Sequence, residues 1–185
     1  MAANRAKPTL TIYTIGHSTR ELGDLISALR AHGIKTLVDI RAFPMSRRLP
    51  YFNRENLEQE LPKAGIHYAW LKALGGRRKR QLKESPNVAL RNDSFRNYAD
   101  YMLTEEFQNG IRELLQISEA GPTAIMCAER VYFRCHRMLV SDYLAAHGCE
   151  VLHIDNEKPP RPHKITTEAR VIDGRLLYPG DQLRL

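Results

Sequence analysis

A chain of 185 residues, 43% hydrophobic and 26% charged, is long enough for one domain with its own core and too ordinary in composition for a disordered or fibrous protein. Three cysteines exclude a disulfide framework, and every apolar run falls far short of the roughly 20 residues of a membrane span, so a soluble, cytoplasmic protein with no membrane partner is expected. A net charge of +7, from 28 lysines and arginines against 21 acids, favours an anionic ligand or a nucleic acid as partner.

Residues 1–9 are polar and predicted to be a flexible N-terminus; residues 10–154 read as one α/β domain and residues 155–185 as a C-terminal extension. Leu10 to Ile15 is rich in β-branched residues and ends at Gly16, the pattern of a buried strand. Ser18 or Thr19 is placed to cap a helix with Leu22, Leu25, Ile26 and Leu29 on one face and Gly33 as its stop. Thr36 to Ile40 is a second strand. Arg41 to Pro50 holds two prolines and predicts an irregular loop, after which Asn53 is expected to cap a short helix carrying Leu57 and Leu61. Ile66 to Tyr68 makes a short third strand. Trp70 to Arg91 is a long connection with Gly75-Gly76 and seven lysines and arginines against Glu84 alone. That length and charge predict a binding segment, with Arg77, Arg78, Lys79 and Arg80 as nucleic-acid contacts and Tyr68 and Trp70 nearby for stacking.

Asp93 is expected to cap a helix through Phe95, Tyr98 and Met102. Thr104 caps the next, with Glu105 and Glu106 near its positive end and Phe107, Ile111, Leu114 and Leu115 as an apolar stripe. Thr123 to Cys127 is a core strand, Cys135 to His147 a helix closed by Gly148, and Glu150 to Ile154 the last strand of the series. In the tail, Asp173-Gly174 between apolar runs predicts a β-hairpin. Strands alternating with helices imply an α/β fold, a mainly parallel sheet with helices on both faces, whose ligands bind beyond the carboxyl ends of the strands. That edge should gather Gly16-His17-Ser18, Asp39 with Arg41, His67 with Tyr68, Cys127 with Glu129, and His153 with Asp155.

The segment from Cys127 to Arg137 is the centre of the expected site. A helix opening at Cys135, between Arg134 and Arg137, should favour a thiolate, which makes Cys135 the reactive thiol. Glu129 suits a general acid/base, and His17 is the third catalytic candidate. Arg41, His136 and Arg137, with Asp39 and Ser18, are the expected substrate-binding groups. The loop does not match a phosphate- or sulfur-transfer cradle, whose arginine would fall at Phe133. Cys127, Cys135, His136 and His17 are metal donors by type, yet the chain lacks the close Cys-x-x-Cys or His-x-His pairs of specific zinc motifs. Spacing therefore assigns no metal and no cofactor.

Several ordered motifs together resemble one known family. They are Thr14-Ile15-Gly16-His17-Ser18, Val38-Asp39-Ile40-Arg41 with Pro44 and Ser46-Arg47, Gly65-Ile66-His67-Tyr68, and Leu74-Gly75-Gly76-Arg77. Phe95 to Met102, Cys127-Ala128-Glu129 and Cys135-His136-Arg137 complete the set. The chain is similar in these to the domain of unknown function 488 family, from about Thr11 to Ile154. The resemblance implies an α/β domain with a site built on the same positions, and no reaction. It departs at Tyr132-Phe133, where family members tend to carry a proline and an aromatic residue.

Three readings stay open at this point. One is an enzyme acting on a nucleic acid or another phosphate-bearing substrate through the Cys/Glu/His/Arg pocket. A non-catalytic nucleic-acid-binding module is another, and a metal-binding or thiol redox protein the last.

Overall fold

The computed structural model describes residues 10–180; the N-terminal segment expected to be flexible lies outside the described residues. The β-branched runs form β1 (Thr11–Gly16), β2 (Thr36–Asp39), β3 (His67–Trp70), β4 (Thr123–Cys127) and β5 (Glu150–Ile154), all parallel. A two-residue β6 (Arg161–Pro162) adds antiparallel to β5, giving the order β3-β2-β4-β1-β5-β6. The expected α/β domain, with its mainly parallel sheet, is what forms.

Successive strand residues face opposite ways, and each face finds its own helices. Ile15, Leu37, Ala124 and Met126 pack with Leu25 and Leu29 of α1 (Leu22–Ala31) and Leu57 and Leu61 of α2 (Arg54–Lys63). Ile12, Val38 and Ile125 pack instead with α3 (Asp93–Tyr101), α4 (Glu105–Glu119) and α5 (Arg137–Ala146). The chain leaves β1 towards α1 on one face and leaves its neighbour β4 towards α5 on the other. Adjacent strands whose connections part in this way open a crevice at their carboxyl ends. His17 follows β1 and Cys127 ends β4, so both stand at that crevice.

Several boundaries differ from the sequence expectation. Glu21, not Ser18 or Thr19, precedes α1, because Ser18 is held in a left-handed turn (φ 52°) with its amide on the Ala128 carbonyl. Asn53 does precede α2, but its side chain accepts from the Ser46 amide and leaves the helix uncapped. Asn92 rather than Asp93 caps α3, accepting from the amides of Ser94 and Phe95. Thr104 caps α4 as expected. His67 opens β3 and is exposed at its amino end, away from the crevice.

The hairpin forms as β7 (Arg170–Ile172) and β8 (Arg175–Leu177), with positive φ at both Asp173 and Gly174, the turn that matches strand twist. Beyond it Tyr178 is buried: its amide donates to Asn87, its carbonyl accepts from Ala89 and its hydroxyl donates to Asp142 of α5. The C-terminal extension is thereby fastened to the sheet domain. Among the described residues no helix is long and apolar enough to cross a membrane.

Candidate functional site

The crevice opens into a hollow of about 1120 Å³. Its floor is Cys127, Cys135 and His136; Glu129 stands on its wall. Arg41, Arg47, Arg77 and Arg134 also line it, four guanidinium groups against that one carboxylate. A smaller hollow of about 340 Å³, lined by His17 and Ser18, adjoins it and shares Arg41 and Glu129.

The floor comes together because two chain ends meet there. Cys127 is the last residue of β4, and Cys135 follows a single 3-10 turn over Tyr132–Arg134. Cys135 has extended backbone and precedes α5, whose first residue is Arg137, so the helix starts two residues later than expected. His136 Nε2 lies 3.0 Å from the Ile40 carbonyl, which only an N–H can satisfy. That bond places the proton on Nε2 and turns the Nδ1 lone pair to the sulfurs, 3.4 Å from Cys135 and 3.9 Å from Cys127. The ring is held from outside by Gly76, whose missing side chain makes room for it, and by the Tyr98 ring at 5.2 Å. The neighbouring Cys127 thiol, then the Arg137 guanidinium and amide, draw Cys135 down to about 7 against the effect of burial. The facing Cys135 thiol, together with burial, pushes Cys127 up to about 12. The two thiols titrate as a coupled pair, Cys135 shifted down and Cys127 up.

Arg41 is fixed from four sides. Its Nε and Nη2 donate to the Asp39 carboxylate, Nη2 also donates to the Phe52 carbonyl, and Nη1 meets His17 Nε2 at 3.3 Å. Tyr68 donates to Asp39 from the far side and Trp70 to the Arg41 carbonyl. One Nη1 hydrogen is left over, and Arg41 borders both hollows. His17 donates from Nδ1 to the Ser18 carbonyl and stacks on Phe52, 4.1 Å between centroids. Burial, reinforced by Arg41, lowers it to about 4, so it stays neutral. His17 and Asp39 therefore act together as a clamp on Arg41.

A family model described as "Domain of unknown function DUF488" matches residues 21–144, more than half of the chain. The chain belongs to the DUF488 family. No curated protein and no solved structure gives a match. The matched span takes in the floor cysteines, Glu129 and Arg41 and stops short of the Thr14 to Ser18 motif at one end and Ile154 at the other.

The remaining expected residues of this DUF488 chain are dispersed. Glu129 is exposed, with one carboxylate oxygen accepting the Val131 amide. Arg137 turns beneath the 128–134 loop, away from the larger hollow, and donates to the carbonyls of Glu129 and Arg130. It also begins a chain of hydrogen bonds. Asp142 accepts at His163 Nε2, so His163 Nδ1 accepts from His153 Nε2, and His153 Nδ1 from the Thr14 hydroxyl. Thr14 accepts in turn from Arg137. Burial, then the facing His163 ring and Arg137, take His153 down to about 3. Of the basic run, Arg77 lines the hollow and Lys79 is exposed. Arg78 is committed to the carbonyls of Lys72, Ala73 and Gly75 over the Tyr101 ring, and Arg80 to those of Leu82 and Lys83. Sequence reasoning missed Phe43 and Met45, 67% and 74% exposed beside the hollow. Two large apolar residues flanking Pro44 in a loop of no helical or strand period were the signal that could have found them.

Proposed function

We propose that this DUF488 chain is an enzyme acting on a nucleic acid or another phosphate-bearing substrate bound in the larger hollow. One observation carries the reading: the only thiol–imidazole cluster among the described residues lies under a rim of exposed guanidinium groups, so anion binding and reactive groups share one place. Among the described residues the side chains of Arg47, Arg77 and Arg134 make no hydrogen bond or ion pair within the protein, which leaves them for phosphate oxygens. Arg41, held rigid, offers a fixed N–H between the two hollows. Phe43 and Met45 give a base or another flat apolar group a surface to lie on. Glu129, exposed on the wall, is the proton-transfer group; His17 and Asp39 position Arg41 rather than react. Arg137 supports the loop from below.

Binding of a fluorescent single-stranded oligonucleotide, followed by anisotropy across a salt series, tests the rim. Arg47→Ala/Arg77→Ala/Arg134→Ala should weaken binding and flatten the log–log salt slope by about 2, at roughly 0.7 per phosphate contact. An unchanged slope removes the hollow as the binding place. Glu129→Gln should bind like wild type and lose turnover across a panel of nucleotides and oligonucleotides. Binding without turnover in the wild type marks a binding module instead.

A further inference from the structure

The floor of the hollow is built for more than thiol chemistry. Cys127 Sγ, Cys135 Sγ and His136 Nδ1 all lie within 4.8 Å of one another. Two sulfurs and one ring nitrogen, converging from three residues on one point, are the donor types preferred by zinc. Tetrahedral zinc with bonds of about 2.0–2.3 Å holds a sulfur and a nitrogen about 3.5 Å apart and two sulfurs about 3.8 Å apart. The two sulfur–nitrogen separations, 3.4 and 3.9 Å, fall on either side of the first spacing. The two sulfurs lie within 4.8 Å of each other, so closing the cluster by at most about 1 Å would admit the ion.

The surroundings also fit. A metal-binding histidine needs its other nitrogen tied down, and the Ile40 carbonyl does this for His136 Nε2. The Arg137 amide points at Cys135 Sγ from 3.5 Å, the kind of N–H contact that steadies a metal thiolate. All three donors border the larger hollow, so a fourth position opens onto it. Two cysteines and one histidine with an open fourth position are a catalytic zinc arrangement, whereas structural sites are closed by four protein ligands.

We infer that Cys127, Cys135 and His136 bind a single zinc-class metal ion whose fourth position faces the arginine-lined hollow and holds water or a substrate oxygen. The sequence spacing hid this site, because its donors come from a strand end and a Cys-His pair eight residues further on rather than from two close pairs. The three-ligand assignment stands on donor geometry alone; only the use of the fourth position by a phosphate-bearing substrate rests on the function proposed above.

The test is metal content by elemental analysis of the full chain, purified without oxygen and equilibrated with zinc. One zinc per chain is expected, together with cobalt substitution giving the thiolate charge-transfer absorption and visible bands of a tetrahedral site. Cys127→Ser and His136→Ala should lose the metal, while Cys149→Ser, which changes the one cysteine outside the cluster, keeps it. Should those variants fail to fold, alkylation of the wild type decides: zinc should protect two thiols of three, and a chelator should expose them. A folded wild type that takes up no zinc or cobalt overturns the assignment, as does a Cys127–Cys135 disulfide as the only state that protects the pair. The rim variant Arg47→Ala/Arg77→Ala/Arg134→Ala separates the two ideas, since it should keep its zinc whether or not it binds an oligonucleotide.

Discussion

Gly76 offers the sharpest test of how the site is held. A Cβ there would meet His136 Nδ1 and stand 2.7 Å from Cγ, where ordinary contact begins near 3.4 Å. Gly76→Ala must therefore move the ring or the 75–77 loop by roughly 0.7 Å or more to restore carbon contact distances. The ring has little freedom to yield, being bonded to Ile40 at one end and packed on Tyr98 at the side. Overpacking of this kind costs about 1–3 kcal/mol. At about 2–4 °C per kcal/mol for a chain of this size, the melting temperature should drop by about 2–12 °C. Zinc affinity, measured by competition with a chromogenic chelator, should fall about 10- to 100-fold, as when a metal-bound histidine loses its support. Gly23→Ala is the control. It sits in α1 with no atom within 4 Å of the added Cβ and should instead gain about 0.5–1 kcal/mol from helix propensity. Wild-type melting and wild-type zinc affinity in Gly76→Ala would refute the packing argument.

Arg137→Met leaves Thr14 and the carbonyls of Glu129 and Arg130 without their donor inside the protein, at a cost of about 3–5 kcal/mol in urea unfolding; a loss under about 1 kcal/mol contradicts its supporting role. His17 and His153 are lowered from 6.5 to about 4 and about 3 by burial and neighbouring cations, so the unfolded chain binds more protons between those values. Their contribution is complete above about pH 6.5 and is lost as the pH falls, by up to about 2 kcal/mol for each histidine between pH 7 and pH 5; His153→Gln should show a shallower dependence, and an unaltered one contradicts the assignment. Arg78→Ala removes the ties to three carbonyls, so trypsin should cut the 77–83 segment faster than in wild type; equal rates would mean the loop is held by something else.

The strands and most helices were legible because each carries its own period: TLVD and TAIMC are short runs buried on both faces, and Phe107, Ile111 and Leu114 repeat at helical spacing. Helix starts were less so. Asn53 and Asn92 are both good caps by composition, yet a nearby amide at Ser46 captured the first while the second stayed on its helix. Around the hollow, Cys127, Glu129 and Arg41 stand where the fold rule pointed, just at or past a strand end, whereas Cys135 was singled out by a helix start that falls two residues later. The roles of Arg137, Arg78 and His17 were not legible. A guanidinium or imidazole is assigned by which carbonyl or carboxylate happens to face it, and those partners lie on other elements. The Thr14–His153–His163–Asp142 chain was invisible for the same reason, joining residues 139, 10 and 21 positions apart.

The arginines explain why net charge alone misleads in this chain. Arg41, Arg78 and Arg137 are guanidinium groups committed to the protein's own oxygens, and they set backbone positions. Gly16 adds to this, because any side chain there would strike the Glu129 carbonyl and stand 2.7 Å from Arg130 Cα. The 128–134 loop is thus pressed against β1 from one side and bonded to Arg137 from below. These backbone contacts bear on the spacing of Cys127 and Cys135. On the zinc proposal, such a site should let the chain fold with a chelator present, unlike a small zinc domain that folds only when loaded; loss of cooperative melting in the chelator would refute this. On the proposed function, the uncommitted side chains of Arg47, Arg77 and Arg134 would then supply the field that brings an anion to a site whose groups the fold already orients.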